Sequence, residues 1–229
     1  MKTVIITGAS GNMGTALVNK YLSAGYNVIG TVIPNDPVAL DINNNRFEKV
    51  TVDLLSEEDS AKFIDMVVEK YKTIDVVITT VGGFATGSVA TTKTSDINKQ
   101  YRLNFETAFN VVRPAFIQMI QQGNGKIFLV GSKPGLDTSY AKGMVAYSLG
   151  KSLIFRLAEL MNEEAKGTNV ITSVVVPGTI DTPSNRRSMP DADFSKWIKP
   201  GAIADTVCFY CTDTASVIRE PVIKLYNNS

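Results

Sequence analysis

The sequence predicts an α/β fold, a Rossmann-type doubly wound, mostly parallel sheet of about seven strands flanked by helices in three layers. Short runs rich in Val, Ile and Thr alternate along the whole chain with longer amphipathic segments, the order that builds parallel sheets through crossover helices. Residues 3–7 are an unbroken β-branched run, the pattern of a strand buried on both faces. That run passes directly into the turn Thr7-Gly8-Ala9-Ser10-Gly11-Asn12-Met13-Gly14 and then into an amphipathic segment with Met13, Leu17 and Leu22 apolar, ending near Gly25.

Strand, glycine-rich turn and helix together form the context for a phosphate site. Glycines let backbone approach a pyrophosphate, and a helix N-terminus offers free N–H groups and a positive dipole end. Tight βα packing is the alternative use of such a turn. The second strand, Asn27–Ile33, leads to Pro34. Its end holds neither the acidic residue that bonds the 2′-hydroxyl of NAD nor the Arg that accommodates the 2′-phosphate of NADP, so the cofactor form stays open. Asp36 lies a few residues beyond and could reach in to the ribose. Phe47–Val52 reads as the third strand and runs into Asp53-Leu54, before a capping box at Ser56 and a helix through Tyr71. Asp53, at a strand's carboxyl end, is either an acceptor for an adenine amino group or a turn carboxylate. The fourth strand, Asp75–Thr80, ends in Val81-Gly82-Gly83, where a ligand or a neighbouring backbone comes close. A helix from Ser95 to Gln121 follows, with a kink expected at Pro114. Asn104, inside it among apolar neighbours, needs partners if buried: backbone or a water chain.

Lys126–Val130 is the fifth strand and ends in Gly131-Ser132. The Ser132 hydroxyl either bonds a substrate oxygen or caps the next loop. After a turn-rich stretch comes Ala146-Tyr147-Ser148-Leu149-Gly150-Lys151, which places a phenol and an ammonium on one helix face. Val145, Leu149, Leu153, Leu157 and Leu160 are expected to pack that helix along one side. A free tyrosine has a pKa of about 10, and a cation beside it favours phenolate, so Lys151 is expected to lower the Tyr147 pKa. The same spacing also suits a packed tyrosine and a solvated lysine. Asn169–Val176 is the sixth strand, followed by Pro177-Gly178-Thr179-Ile180-Asp181-Thr182. The stretch 183–200 is polar and irregular, with Met189, Phe194 and Trp197 scattered through it, and is expected to be a substrate lid. Pro200 opens a last helix and Val222–Leu225 closes the chain as a strand. With no repeats or linkers, residues 1–229 are expected to form one domain.

Composition narrows the chemistry. A formal net charge of +1 gives no reason to expect nucleic acid or an anionic membrane as partner. No apolar run approaches the roughly 18 residues of a membrane span, and a strand beginning at once leaves no room for a signal peptide, so a cytoplasmic location is expected. Histidine is absent, which removes Ser-His-Asp hydrolysis, Cys-His nucleophiles and His-ligated metals. Cys208 and Cys211 cannot complete a four-ligand zinc site and are expected to be core thiols, with no metal. Acid–base chemistry must therefore use Tyr, Lys, Asp, Glu or Cys.

Thr7-Gly8…Gly14, Asp53-Leu54, Val81-Gly82-Gly83, Asn104, Ser132, Tyr147…Lys151 and Pro177-Gly178…Thr182, in that order and at strand ends, resemble the short-chain dehydrogenase/reductase family over essentially the full length. The resemblance implies hydride transfer between NAD or NADP and a carbonyl or alcohol carbon of a small molecule. It implies Tyr147 as proton donor or acceptor, Lys151 as the group that tunes it and holds the nicotinamide ribose, Ser132 as the residue orienting the substrate oxygen, and Asn104 as support for a relay water. Gly8, Ser10, Gly11, Asn12, Met13, Gly14, Asp53, Leu54, Val81, Gly82, Tyr147, Lys151, Pro177, Gly178, Ile180 and Thr182 would surround the cofactor. A homodimer or homotetramer is implied too. Three features depart from the commonest pattern. The glycines are spaced Gly-x-x-Gly-x-x-Gly; Thr80-Val81-Gly82-Gly83 is similar to dihydropteridine reductase-like members; and fifteen positions separate Ser132 from Tyr147, with Ser139-Tyr140-Ala141-Lys142 between them. Ser139 is thus an alternative to Ser132. The competing functional readings are a non-catalytic NAD(P)-binding sensor or scaffold and an isomerase or dehydratase of nucleotide-sugars; the short C-terminal part argues against the latter.

Overall fold

The β-branched runs become strands β1 (Thr3–Ile6), β2 (Asn27–Val32), β3 (Phe47–Thr51), β4 (Val76–Thr79), β5 (Asn124–Val130), β6 (Asn169–Pro177) and β7 (Val222–Leu225) in a computed structural model that describes residues 1–227. All neighbours pair in parallel, in the order β3-β2-β1-β4-β5-β6-β7. The chain leaves β1 toward β2 and β3, then returns to place β4 on the other side of β1. Strand order reverses there, the place where open α/β sheets bind ligands beyond their carboxyl ends.

The connecting helices are α1 (Asn12–Ser23), α2 (Glu57–Tyr71), α3 (Thr94–Tyr101), α4 (Thr107–Gln122), α5 (Lys133–Leu136), α6 (Val145–Glu164), α7 (Pro183–Ser188) and α8 (Pro200–Phe209). Successive strand residues point to opposite faces, so both faces need cover. Val4 and Ile6 meet Leu17, Val18 and Tyr21 of α1 and Ile203 and Val207 of α8. Ile5 faces the other layer, with Phe63 and Val67 of α2, Val111 and Ala115 of α4, and Ile154 and Ala158 of α6. Ser56 caps α2, its hydroxyl accepting from the Asp59 N–H, as its capping pattern predicts.

Three expectations need correction. The 95–121 helix is interrupted at Arg102–Glu106, where one π-helical turn separates α3 from α4, while Pro114 lies within α4. Wider turns of this kind are frequent at functional sites, and this one carries Asn104. Helix α6 packs through Ala146, Gly150, Lys151, Ile154, Leu157, Ala158 and Met161, whereas Leu149, Leu153 and Leu160 are exposed. The helix has two apolar stripes roughly a quarter turn apart; of the residues that periodicity picked, Leu157 lies on the inner one and Leu149, Leu153 and Leu160 on the outer. The 183–200 stretch is also more ordered than expected. Thr182 caps α7, Asp181 pairs with Arg186 at 2.6 Å, and Trp197 and Ile198 are buried. Cys208 and Cys211 are buried free thiols, with Cys211 beside the Tyr21 hydroxyl.

Candidate active site

The carboxyl ends of β1, β4 and β5 and the start of α6 bring the predicted residues to one rim. Gly8 has φ +63°, a conformation that glycine adopts without strain. A Cβ on Gly14 would lie 2.1 Å from the Gly8 carbonyl oxygen, so α1 can begin here only without a side chain at that position. Helix α1 starts from Gly11 with no side-chain cap, and Gly11 and Asn12 are exposed. The first-turn N–H groups thus face outward from a turn with little side-chain bulk, which fits a pyrophosphate. Thr80 fastens this turn to β4, its hydroxyl donating to the Thr7 carbonyl at 2.6 Å.

Gly82 fixes the next part. A Cβ there would meet Asn104 Oδ1 at 2.7 Å and Lys151 Nζ at 3.2 Å. The missing side chain lets the β4 rim, the π turn and α6 converge. Asn104 is 1% exposed and its amide is fully engaged. Its Oδ1 accepts from the Gly83 N–H at 3.0 Å, and its Nδ2 donates to the Gly83 carbonyl and to Gln100 Oε1.

Lys151 is 5% exposed and donates from Nζ to the Val130 carbonyl at 2.8 Å, at the end of β5. Burial lowers its pKa to about 8. The expectation that Lys151 lowers the Tyr147 pKa is not met in this structure. Burial raises the phenol pKa, and the group opposing that rise is the Ser132 hydroxyl. The ammonium is directed to backbone instead, so tyrosine and lysine are near neighbours without a direct ion–phenol interaction. Ser132 is buried and also accepts from the Gly135 N–H at 3.2 Å, thereby capping α5. Ser139 is exposed on the following turn, its N–H donating to Asp137. Tyr140 is exposed as well and lies against the Lys133 ammonium.

A family model described as short chain dehydrogenase matches residues 2–193. The chain belongs to the short-chain dehydrogenase family. It is 26% identical over 189 residues to an acetoacetyl-CoA reductase of Acinetobacter sp., covering 80% of this chain and 75% of that one. It is 24% identical over 218 residues to a dihydropteridine reductase of Dictyostelium discoideum, covering 94% and 90% respectively. The crystal structure of gox2181 superposes with a TM-score of 0.83 at 20% identity, covering 98% of this chain and 93% of that one, which shows the shared fold.

The remaining candidate residues are engaged in local structure. Asp53 accepts from the Leu55 N–H in a turn, while buried Leu54 takes a hydrogen bond from Asn110 on its carbonyl. Val81 is half-buried beside Gly8. Pro177 ends β6, the Gly178 N–H donates to Leu225, and the Ile180 carbonyl accepts from Asn185. Met13 is half-buried at the start of α1. Two site neighbours, Phe84 and Gln100, were missed in the sequence. Phe84 is 64% exposed and stands edge-on to the Tyr147 ring, with centroids 5.2 Å apart. Its signal was an aromatic directly after a double glycine at a strand end. Gln100 supports Asn104 from one helical turn before it, a spacing that could have marked the pair. Ser10 donates to Asp36 across 26 positions, which no local pattern announces.

Proposed function

We propose that this chain is an NAD(P)-dependent oxidoreductase that interconverts a small-molecule carbonyl and alcohol, with Tyr147 as general acid and base. The observation that carries the reading is the meeting of Tyr147, Ser132 and Lys151 at one rim, beside a glycine turn shaped for a pyrophosphate. The cofactor, when bound, supplies or takes up the hydride. Backbone of Gly8, Ser10, Gly11, Asn12, Met13 and Gly14 would hold its pyrophosphate, and Asp53 and Leu54 would border the adenine. Val81, Gly82, Tyr147, Lys151, Pro177, Gly178, Ile180 and Thr182 would border the nicotinamide half.

Burial keeps the Tyr147 proton on the phenol at neutral pH, the form needed to donate to a carbonyl oxygen. Ser132 favours the phenolate left behind and is placed to orient the same substrate oxygen. Lys151 adds a buried cationic head that ribose hydroxyls can engage. Asn104 is a positioning residue: it clamps Gly83 and keeps the β4 rim against Lys151. Phe84 gives the substrate an apolar wall, and the 183–200 segment serves as the lid over it. The exposed Leu149, Leu153 and Leu160 of α6, with Phe109 and Ile117 of α4, are the apolar faces through which homodimers or homotetramers would form.

Oxidation of NADH and NADPH over a panel of aldehydes, ketones and β-keto thioesters, run alongside fluorescence titration of each cofactor, tests the function. Cofactor binding with turnover of at least one carbonyl supports it. Tight binding with no turnover across the panel supports the non-catalytic sensor instead.

A further inference from the structure

We propose that Phe84 is a positioning residue for Tyr147, a ring fixed against the phenol that shields it from water; this rests on the reading of Tyr147 as general acid and base above. Phe84 stands in the span 83–87, which is fastened at both ends. At its start the Gly83 N–H donates to Asn104 Oδ1 at 3.0 Å, and the Gly83 carbonyl accepts from Asn104 Nδ2 at 2.9 Å. At its end the Gly87 N–H donates to the Gly143 carbonyl at 2.7 Å, and the Gly87 carbonyl accepts from the Val145 N–H at 3.0 Å. This is a parallel bridge to the residues that open α6. The second fastening ties the span to the same helical turn that carries Tyr147. The Phe84 and Tyr147 rings are thereby held in their edge-on contact, with 5.2 Å between centroids and 73° between planes.

A ring that is 64% exposed gains little from burial itself. What its place does is take water away from a neighbour. Because Phe84 is exposed, the cover it gives lies on the solvent side of the phenol, and burial is what raises the Tyr147 pKa. The polar groups nearest the phenol are the Ser132 hydroxyl at the end of β5, which favours the phenolate, and Lys151 of α6, whose ammonium is directed to the Val130 carbonyl. Residues 83–87 contain no ionisable side chain. On the elements packed around them, Arg102 and Glu106 of the π turn pair with each other at 3.2 Å, and Asp96 of α3 accepts from the Lys93 N–H. Lys133 of α5 lies over the Tyr140 and Tyr226 rings, while Lys99 and Lys142 are exposed. Cover, more than charge, therefore sets this phenol.

The test follows the Tyr147 phenol by NMR in the full chain, with tyrosine isotopically labelled at its ζ carbon and the resonance assigned by its loss in Tyr147→Phe. The titration covers the pH range in which circular dichroism shows each variant folded. In Phe84→Ala the phenol should ionise lower than in the wild type, by about half a pH unit or more. Phe84→Leu restores apolar bulk and should return the titration to that of the wild type. On any carbonyl that the chain reduces, the alkaline fall in kcat/KM should move down by the same amount in Phe84→Ala. A phenol that titrates alike in the wild type and Phe84→Ala overturns the proposal. So does a raised KM with the alkaline limb unmoved, the signature of a substrate wall alone. A shifted phenol in a chain that reduces no carbonyl would support the shielding and remove the oxidoreductase reading instead.

Discussion

The two ends of the candidate site are built in opposite ways. Around Tyr147 the polar groups are buried and committed: Lys151 to Val130, Asn104 to Gly83 and Gln100, Ser132 to Gly135. At the glycine turn Gly11 and Asn12 are exposed, and the missing side chains of Gly8 and Gly14 let the turn close on its own backbone and on β4. The difference follows from what each end has to do. Proton transfer needs groups whose ionisation is set before the substrate arrives, and burial sets it. Pyrophosphate recognition needs open N–H groups, and glycine leaves them open.

Mutations that force the glycine turn apart should have the largest effect. Gly14→Val drives a branched side chain into the Gly8 carbonyl, so α1 must shift. Cofactor affinity is expected to fall more than about 100-fold, with about 1–3 kcal/mol of stability lost as well. Calorimetric titration and chemical denaturation measure the two losses; a variant that binds normally would break the contrast at once.

Lys151→Met sharpens the comparison by separating function from stability. Turnover should fall about 100-fold or more. Stability at pH 7 should rise by about 1–3 kcal/mol, because a buried ammonium is removed and only its bond to Val130 is forfeited. The pH dependence gives the sign. The folded pKa of about 8 lies below the ordinary 10.5, so the unfolded chain holds more protons between those values. Wild-type stability therefore rises with pH through that window, and the variant's advantage shrinks. Urea denaturation at pH 7 and pH 10 reads this directly.

Asn104→Ala has the smallest expected effect of the three. It leaves the Gly83 N–H and Gln100 without their partners in a buried place, at a cost of about 1–3 kcal/mol. Turnover should fall less than for Lys151→Met, since Asn104 positions and does not react. Thermal melting with steady-state assays distinguishes the two outcomes.

Much of this layout was legible in the sequence because strands advertise themselves through β-branched runs and because glycines mark close approaches. Gly8, Gly14 and Gly82 announced themselves by position, and the structure supplies the atoms that crowd them. What was not legible depended on partners remote in the chain. The two apolar stripes of α6 look alike until one is covered by the sheet. The π turn at 102–106 leaves no periodicity to read in so short a stretch. Ser132 and Ser139 differ in burial, not in local pattern. The direction of the Lys151 ammonium was set by the Val130 carbonyl, a backbone atom whose reach no side-chain spacing records.

The most direct test of the account is Tyr147→Phe, assayed for NADH binding and for turnover of any carbonyl that the wild type reduces. Loss of the hydroxyl should leave cofactor affinity within a few fold and lower turnover by about 10²–10⁴-fold. Wild-type turnover in a variant that has no phenolic proton to give would contradict the central claim.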